Sequence, residues 1–158
     1  KMMAFKLSNR SLKKLEGVHP DMVATVKRAI ELTNVDFGVT YGVRTLAEQK
    51  KLYESGRSQT MKSKHLIQGD GYSHAVDLVA YDGSDVIWEI NVYDNIADAM
   101  SAAAMEVGCA IKWGAAWSVG NIARYDGTME DAMNEYIDLR RSQSRRPFID
   151  GPHFELMV

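Results

Sequence analysis

The residues best able to do chemistry in this chain of 158 amino acids are a few histidines and carboxylates in apolar surroundings. Asp77 interrupts the run Ala75-Val76-Asp77-Leu78-Val79-Ala80. Burying a carboxylate there is costly unless it is paired or bound to a cation, so Asp77 calls for a salt bridge, a hydrogen bond from a loop, or a metal ion. His153 opens the last apolar segment, and Asp150 precedes it across the turn residues Gly151-Pro152. That spacing lets Asp150 face the same site as His153 without taking the same coordination position. A hydrolytic zinc centre requires three protein ligands, an open position for water, and a base that is not itself a ligand. His65, Asp77 and His153 could supply the ligands and Asp150 the base. Each of these residues alone also has an ordinary structural reading, and no compact two-histidine zinc-protease helix is present, so spacing by itself leaves both readings open.

These side chains must be carried by a mixed set of elements. A short helix over residues 11–16 is closed by Gly17. Pro20 opens a second helix that runs to about Thr33, with Asp21 in its first turn. Its Met22, Val23, Val26, Ala29 and Ile30 fall at helical spacing. Residues 37–41 are rich in strand formers, and Thr45 caps a helix over 46–55 that Gly56 stops. Residues 57–74 are polar, carry Gly69 and Gly71, and read as loop. Residues 75–81 read as a buried strand, followed by the turn Asp82-Gly83 and a hairpin partner over 86–90. Ile96, Met100, Ala103 and Val107 define a second apolar helix ending at Gly108. A short strand over 110–113, a weakly amphipathic helix over 128–143 and a strand over 153–158 complete the chain. Trp88 reads as a strand packing residue, Tyr53 as core, and Trp113 and Trp117 as core or cleft wall. Helices and strands mixed without βαβ alternation predict an α+β protein, an antiparallel sheet partly covered by helices.

Ser63-Lys64-His65-Leu66, followed by His74-Ala75-Val76-Asp77-Leu78, resembles the signature of zinc D,D-peptidases and L-alanyl-D-glutamate peptidases. Asp150-Gly151-Pro152-His153-Phe154-Glu155-Leu156 resembles the terminal Asp-x-x-His motif of that family's phage-endolysin branch. Tyr41-Gly42-Val43-Arg44-Thr45, with Gln49, Leu52-Tyr53 and Gly56-Arg57, is similar to its arginine-bearing segment. Trp113-Gly114-Ala115-Ala116-Trp117 is similar to its Trp-Gly-x-x-Trp block, with Ala116 where relatives often carry Asp. The four blocks keep the family's order. The resemblance implies a Hedgehog/D,D-peptidase-like fold, a small antiparallel sheet with flanking helices, in a single catalytic domain over 1–158 with no separate wall-binding domain. It implies Zn2+ held by His65, Asp77 and His153, with Asp150 as catalytic acid/base. Arg44 is implied to bind substrate and stabilise the oxyanion, with Ser63, Gln49 and Trp113 supporting the site or contacting substrate. The stretch between His65 and Asp77 is longer than the family's usual spacing, an insertion around Ile67–Ser73 that a surface loop accepts cheaply. It makes His74 a rival ligand; His65 is preferred because it keeps the Ser-x-His context.

Composition is that of a globular chain, 46% apolar and 25% charged, long enough to bury a core. A net charge of −2 gives no general attraction to nucleic acid. The single cysteine, Cys109, excludes an intramolecular disulfide and a cysteine-rich zinc site. Its place after Gly108, at a helix C-terminus, disfavours a nucleophilic thiolate. Arg140-Arg141 and Arg145-Arg146 read as a solvated helix end or as a contact with anionic wall or membrane polymers. No apolar run approaches the roughly 20 residues of a membrane span, and Lys1-Met2-Met3-Ala4-Phe5 does not open a signal peptide. The expectation is a monomeric, zinc-dependent endopeptidase that cleaves the L-alanyl-D-glutamate bond of the peptidoglycan stem peptide and lyses its host. It would be made in the bacterial cytoplasm and reach the periplasm with the help of a holin, without stable membrane insertion and without binding nucleic acid. The alternative is a D,D-carboxypeptidase, whose relatives more often carry Glu where Asp150 stands. A non-catalytic binding module would require loss of the Asp150 or Arg44 counterpart, and both are present.

Overall fold

The computed structural model describes residues 4–158, so the Lys1-Met2-Met3 opening of the segment read for an export signal lies outside them. Helix α1 (Asn9–Lys14) starts where Ser8 Oγ accepts the Ser11 N–H at 3.1 Å. Helix α2 (Pro20–Leu32) is capped by His19, whose Nδ1 accepts the Asp21 N–H at 3.0 Å. Strand β1 (Asp36–Tyr41) follows, then α3 (Leu46–Glu54), where Thr45 and Glu48 form a reciprocal capping box. A long connection leads to β2 (Ala75–Asp82) and its hairpin partner β3 (Asp85–Ile87). Next come α4 (Ile90–Val107), closed by the left-handed Gly108, and β4 (Ile111–Trp113). Two single 3-10 turns lead to α5 (Met129–Ser142), and β5 (His153–Leu156) ends the fold.

The sheet is antiparallel in the order β1-β2-β5-β4, with β3 pairing the C-terminal end of β2. Side chains alternate across it. Val76, Phe154 and Trp113 lie in cross-strand succession on one face and join the core formed with α2 and α4. Asp77, His153 and Glu155 are the alternate residues and line the opposite, open face. The α+β architecture expected from the sequence is therefore present, and no helix among the described residues is long and apolar enough to cross a membrane.

Four local expectations need correction. Helix α4 begins at Ile90, a residue expected in the hairpin partner over 86–90, and β3 stops at Ile87. The cause is Tyr93, whose hydroxyl donates to the Ile87 carbonyl at 2.7 Å and accepts the Ala80 N–H at 3.2 Å, pinning an extra helical turn against the β2–β3 hairpin. Trp88 consequently falls between elements and is 67% exposed instead of packed on a strand. Tyr53 is 49% exposed rather than core, because the one side chain α3 buries is Gln49. Helix α5, for its part, has a clear buried stripe of Met129, Ala132, Met133 and Tyr136.

The junction between α4 and α5 carries an electrostatic cost. Asp98 Oδ1 accepts the Met129 N–H at 2.8 Å and so caps α5 from outside. Asp94, one turn earlier on α4, is buried nearby. Its burial, and then the charges of Glu130 and Asp98, push its carboxyl up to about 6. The folded chain thus holds this proton more tightly than the unfolded chain, and stability falls as pH rises from about 4 to about 6. Asp94→Asn is expected to raise stability by about 1–2 kcal/mol at pH 7, with the gain vanishing near pH 4. Denaturant titrations at the two pH values check this, and a loss of stability at pH 7 would contradict it.

Candidate active site

The register of the sheet builds the centre of the site. Asp77 on β2 stands opposite His153 on β5, and opposite Tyr41 at the end of β1. Directly opposed residues share a face, so Asp77 Oδ1 lies 3.2 Å from His153 Nδ1. The long connection supplies the third group, with His65 Nε2 3.2 Å from the same oxygen. The candidate ligand atoms of His65, Asp77 and His153 all lie within 4.8 Å of one another.

Both imidazoles are oriented from behind. His65 Nδ1 donates to the Gly42 carbonyl at 2.8 Å, and His153 Nε2 donates to Glu155 Oε1 at 2.9 Å. Each ring therefore turns its other nitrogen toward Asp77. A ligating histidine whose remaining N–H is held by a carbonyl or carboxylate is the usual arrangement around zinc, and two nitrogens and one oxygen form a donor set suited to it. The backbone reinforces this geometry. The Arg44 N–H donates to the His65 carbonyl at 2.9 Å, and Ser63 Oγ accepts the His65 N–H at 3.1 Å. Gly42 has to lack a side chain, because a Cβ would run into the Lys14 carbonyl at the end of α1.

Asp150 reaches the same cleft on a tightly tied turn. Its N–H donates to the Gly114 carbonyl, and the Gly114 N–H donates to the His153 carbonyl, both at 2.8 Å. Trp113 Nε1 donates to the Gly151 carbonyl at 2.7 Å, and the Leu78 N–H donates to the Pro152 carbonyl at 2.9 Å. A Cβ on Gly114 would collide with the Asp150 carbonyl. The Trp-Gly block is therefore a backbone clamp on the Asp150–His153 turn, with Trp113 fully buried and Trp117 tilted against the His153 ring at 5.7 Å. Arg44 stands on the other side, its Nη2 3.9 Å from Asp77 Oδ2. Arg44 Nη1 donates to Gln49 Oε1 at 2.9 Å, while the buried Gln49 amide nitrogen donates to Ser58 Oγ at 2.8 Å and to the Thr60 carbonyl at 2.6 Å.

The electrostatics favour a positive charge among the three central groups. Burial alone would raise Asp77, but the hydrogen bonds and charges of His153 and His65 hold it well below the usual carboxylate range. Burial alone would lower His153; hydrogen bonds to Asp77 and Glu155, with the charges of Asp77 and Asp150, reverse this and push it up to about 10. Burial would raise Glu155, yet His153 and more distantly Lys112 and Lys64 hold it down. Asp150 is raised by burial and then by the charge of Asp77, with partial offset from His153, His65 and Arg44.

The structure thus brings His65, Asp77, His153, Asp150 and Arg44 to one cleft of about 630 Å³. Ser63 also lines that cleft, whereas Gln49 and Trp113 sit buried behind it. His74 does not join them; its Nε2 lies 2.7 Å from Asp70 Oδ2 within the inserted loop. Glu155 is the participant that sequence reasoning missed, although its position two residues beyond His153 on a strand places it on the same face. Glu155→Ala should free the His153 ring and so weaken, by about 10–100-fold, the hold of His65, Asp77 and His153 on an added divalent metal ion, as read by competition with a chelating dye. Affinity within two-fold of the parent would show that the ring is held without it. Gly114→Ala should cost about 2 kcal/mol through overpacking and displace the Asp150–His153 turn. An unchanged denaturation midpoint would show that the turn yields freely.

The comparisons with known proteins point to one family. The family described as phage L-alanyl-D-glutamate peptidase matches residues 3–157. The L-alanyl-D-glutamate peptidase of Escherichia phage T5 is 30% identical, in an alignment covering 98% of this chain and the whole of the relative. Among solved structures, the Serratia marcescens L-Ala D-Glu endopeptidase ChiX superposes with a TM-score of 0.70 at 32% identity, covering 98% of this chain and 91% of that one. Both the sequence blocks and the sheet that aligns their residues are accounted for by one conclusion: the chain belongs to the phage L-alanyl-D-glutamate peptidase family.

Proposed function

We propose that this protein is a zinc-dependent peptidoglycan endopeptidase that cleaves the L-alanyl-D-glutamate bond of the stem peptide, acting as a phage endolysin. The observation that carries the reading is the convergence of His65, Asp77 and His153 with the non-ligand Asp150 and with Arg44 in one cleft, within a chain of this family. His65 Nε2, Asp77 Oδ1 and His153 Nδ1 would hold the ion, which when bound supplies Lewis acidity to polarise the scissile carbonyl and to acidify a water.

The remaining work belongs to the chain's own residues. The Asp150 carboxylate takes the proton of the attacking water and delivers it to the departing glutamate amine, as a positioned acid/base. The Arg44 guanidinium, held by Gln49, presents its N–H groups to the charge developing on the carbonyl oxygen. Ser63 fixes the His65 backbone, and Trp113 with Gly114 fixes the Asp150 turn. Synthesis in the host cytoplasm with holin-assisted release to the periplasm fits an endolysin of this kind, and no contact with nucleic acid is required.

Four readouts test the reading. Digestion of purified peptidoglycan should expose new amines on D-glutamate by mass spectrometry, whereas released D-alanine would indicate a D,D-carboxypeptidase. A chelator should abolish lysis and zinc should restore it. His65→Ala should lose zinc while His74→Ala retains it. Asp150→Asn should keep zinc content and melting temperature but lose about 10²–10⁴-fold in turnover. Lysis by Asp150→Asn within a few-fold of the parent would end the acid/base assignment.

A further inference from the structure

The cleft carries more positive charge than the reaction just described uses. Arg57, Lys62 and Lys64 line it together with Arg44, His65, Asp77, Asp150 and His153. Arg44 is committed to Gln49 and Asp77. Arg57, Lys62 and Lys64 form no close ion pair among the described residues, Lys64 acting on Glu155 only at longer range. The segment that presents them is anchored. Arg57 and Ser58 donate their N–H groups to the Leu52 carbonyl at 2.9 and 3.0 Å. Gln49 grips Ser58 and Thr60 from below, and the Lys64 carbonyl accepts the His74 N–H at 2.8 Å. The three cations therefore stand on a tethered wall rather than a free loop.

The substrate chemistry supplies the missing partner, if the endopeptidase reading above holds. A glutamyl residue that continues the peptide through one carboxyl keeps the other free. In this reaction glutamate is the residue whose amine departs, so its free carboxylate lies within a few bonds of the reacting atoms and inside the same cleft. There it meets the carboxylates of Asp150 and Glu155, which oppose it, while Asp77 is already matched by His65, His153 and Arg44, and a partly desolvated carboxylate requires a cationic counterpart.

We propose that Arg57, Lys62 and Lys64 form the binding wall for the free carboxylate of the glutamyl residue on the leaving-group side, and that this wall makes the enzyme select a carboxylate over a carboxamide at that position. The wall distinguishes substrates by charge, and it also sets the direction in which the stem peptide lies across His65, Asp77 and His153.

The test compares two synthetic stem peptides that differ only in this group, one with the free glutamyl carboxylate and one with the carboxamide. The zinc-loaded parent should prefer the carboxylate by at least about ten-fold in kcat/KM, the scale on which a truncated charge pair in a binding cleft is felt. In the combined variant Arg57→Gln, Lys62→Gln, Lys64→Gln, that ratio should fall toward one. The charge-retaining pair Lys62→Arg, Lys64→Arg should keep it. If the combined variant lacks the parent's melting transition, the three single Gln variants are measured instead, each with a reduced ratio. A parent ratio near one overturns the proposal while leaving the endopeptidase reading intact, and so does a ratio unchanged in the Gln variants or lost in the Arg pair. Failure of the parent to cut either peptide overturns the endopeptidase reading itself.

Discussion

A carboxylate in the middle of the central strand is the constraint around which this molecule is organised. Asp77 cannot be buried in β2 without compensation, and donors from three parts of the chain meet it. His153 comes from β5, His65 from the connection after α3, and Arg44 from the end of β1. Two of these approaches depend on strand register. A slip of β5 by one residue would place Phe154 opposite Asp77 and turn His153 into the core. The apolar pairs Val76–Phe154 and Ile111–Leu156 oppose that slip, because it would expose them. Core packing and site geometry are thus enforced by the same pairing.

The site is held to its shape chiefly by backbone hydrogen bonds and by places where a side chain is forbidden. Gly114 allows β4 to approach the Asp150–His153 turn, and the missing side chain of Gly42 lets Gly42, whose carbonyl accepts from His65 Nδ1, sit against the end of α1. The tryptophan block, which as a sequence motif suggests aromatic contact with substrate, divides its labour. Trp113 is a buried tether for the turn, and Trp117 forms part of the cleft wall.

Other conspicuous residues turn out to serve the scaffold. The Cys109 thiol is pushed up by burial and lies 3.2 Å from Thr25 Oγ1 between α2 and the end of α4, far from nucleophile chemistry. In the basic cluster after α5, Arg140 donates through Nε and Nη2 to the Arg146 carbonyl at 3.1 and 2.9 Å, closing the helix end. The loop insertion before β2 makes its own small structure. Asp70 receives His74, and Ser73 is tied to Gly17 and His19. That leaves the spacing between His65 and Asp77 free to be long.

The order and types of residues alone determined the α+β class, most helix limits, the caps at Thr45 and the stop at Gly108, and the identity of the groups that meet in the cleft. These are local properties. Capping, periodicity and the cost of a buried charge act over a few residues, and motif order adds the pairing of distant blocks. The start of α4 was not legible, because a hydroxyl of Tyr93 bonding to another element decides it. Nor was the exposure of Trp88 and Tyr53, which depends on whether a partner surface exists. The preference for His65 over His74 rests on the Ser-x-His context in the sequence, but its physical basis is visible only in the folded chain. Both lie before Asp77 in a polar segment, and only the path of the loop shows one ring meeting Asp77 and the other meeting Asp70. Glu155 behind His153, Gln49 behind Arg44, and the cations standing unpaired along one wall are decided by tertiary structure for the same reason. Each is a relation between side chains in space, fixed by packing and register rather than by any neighbour in sequence.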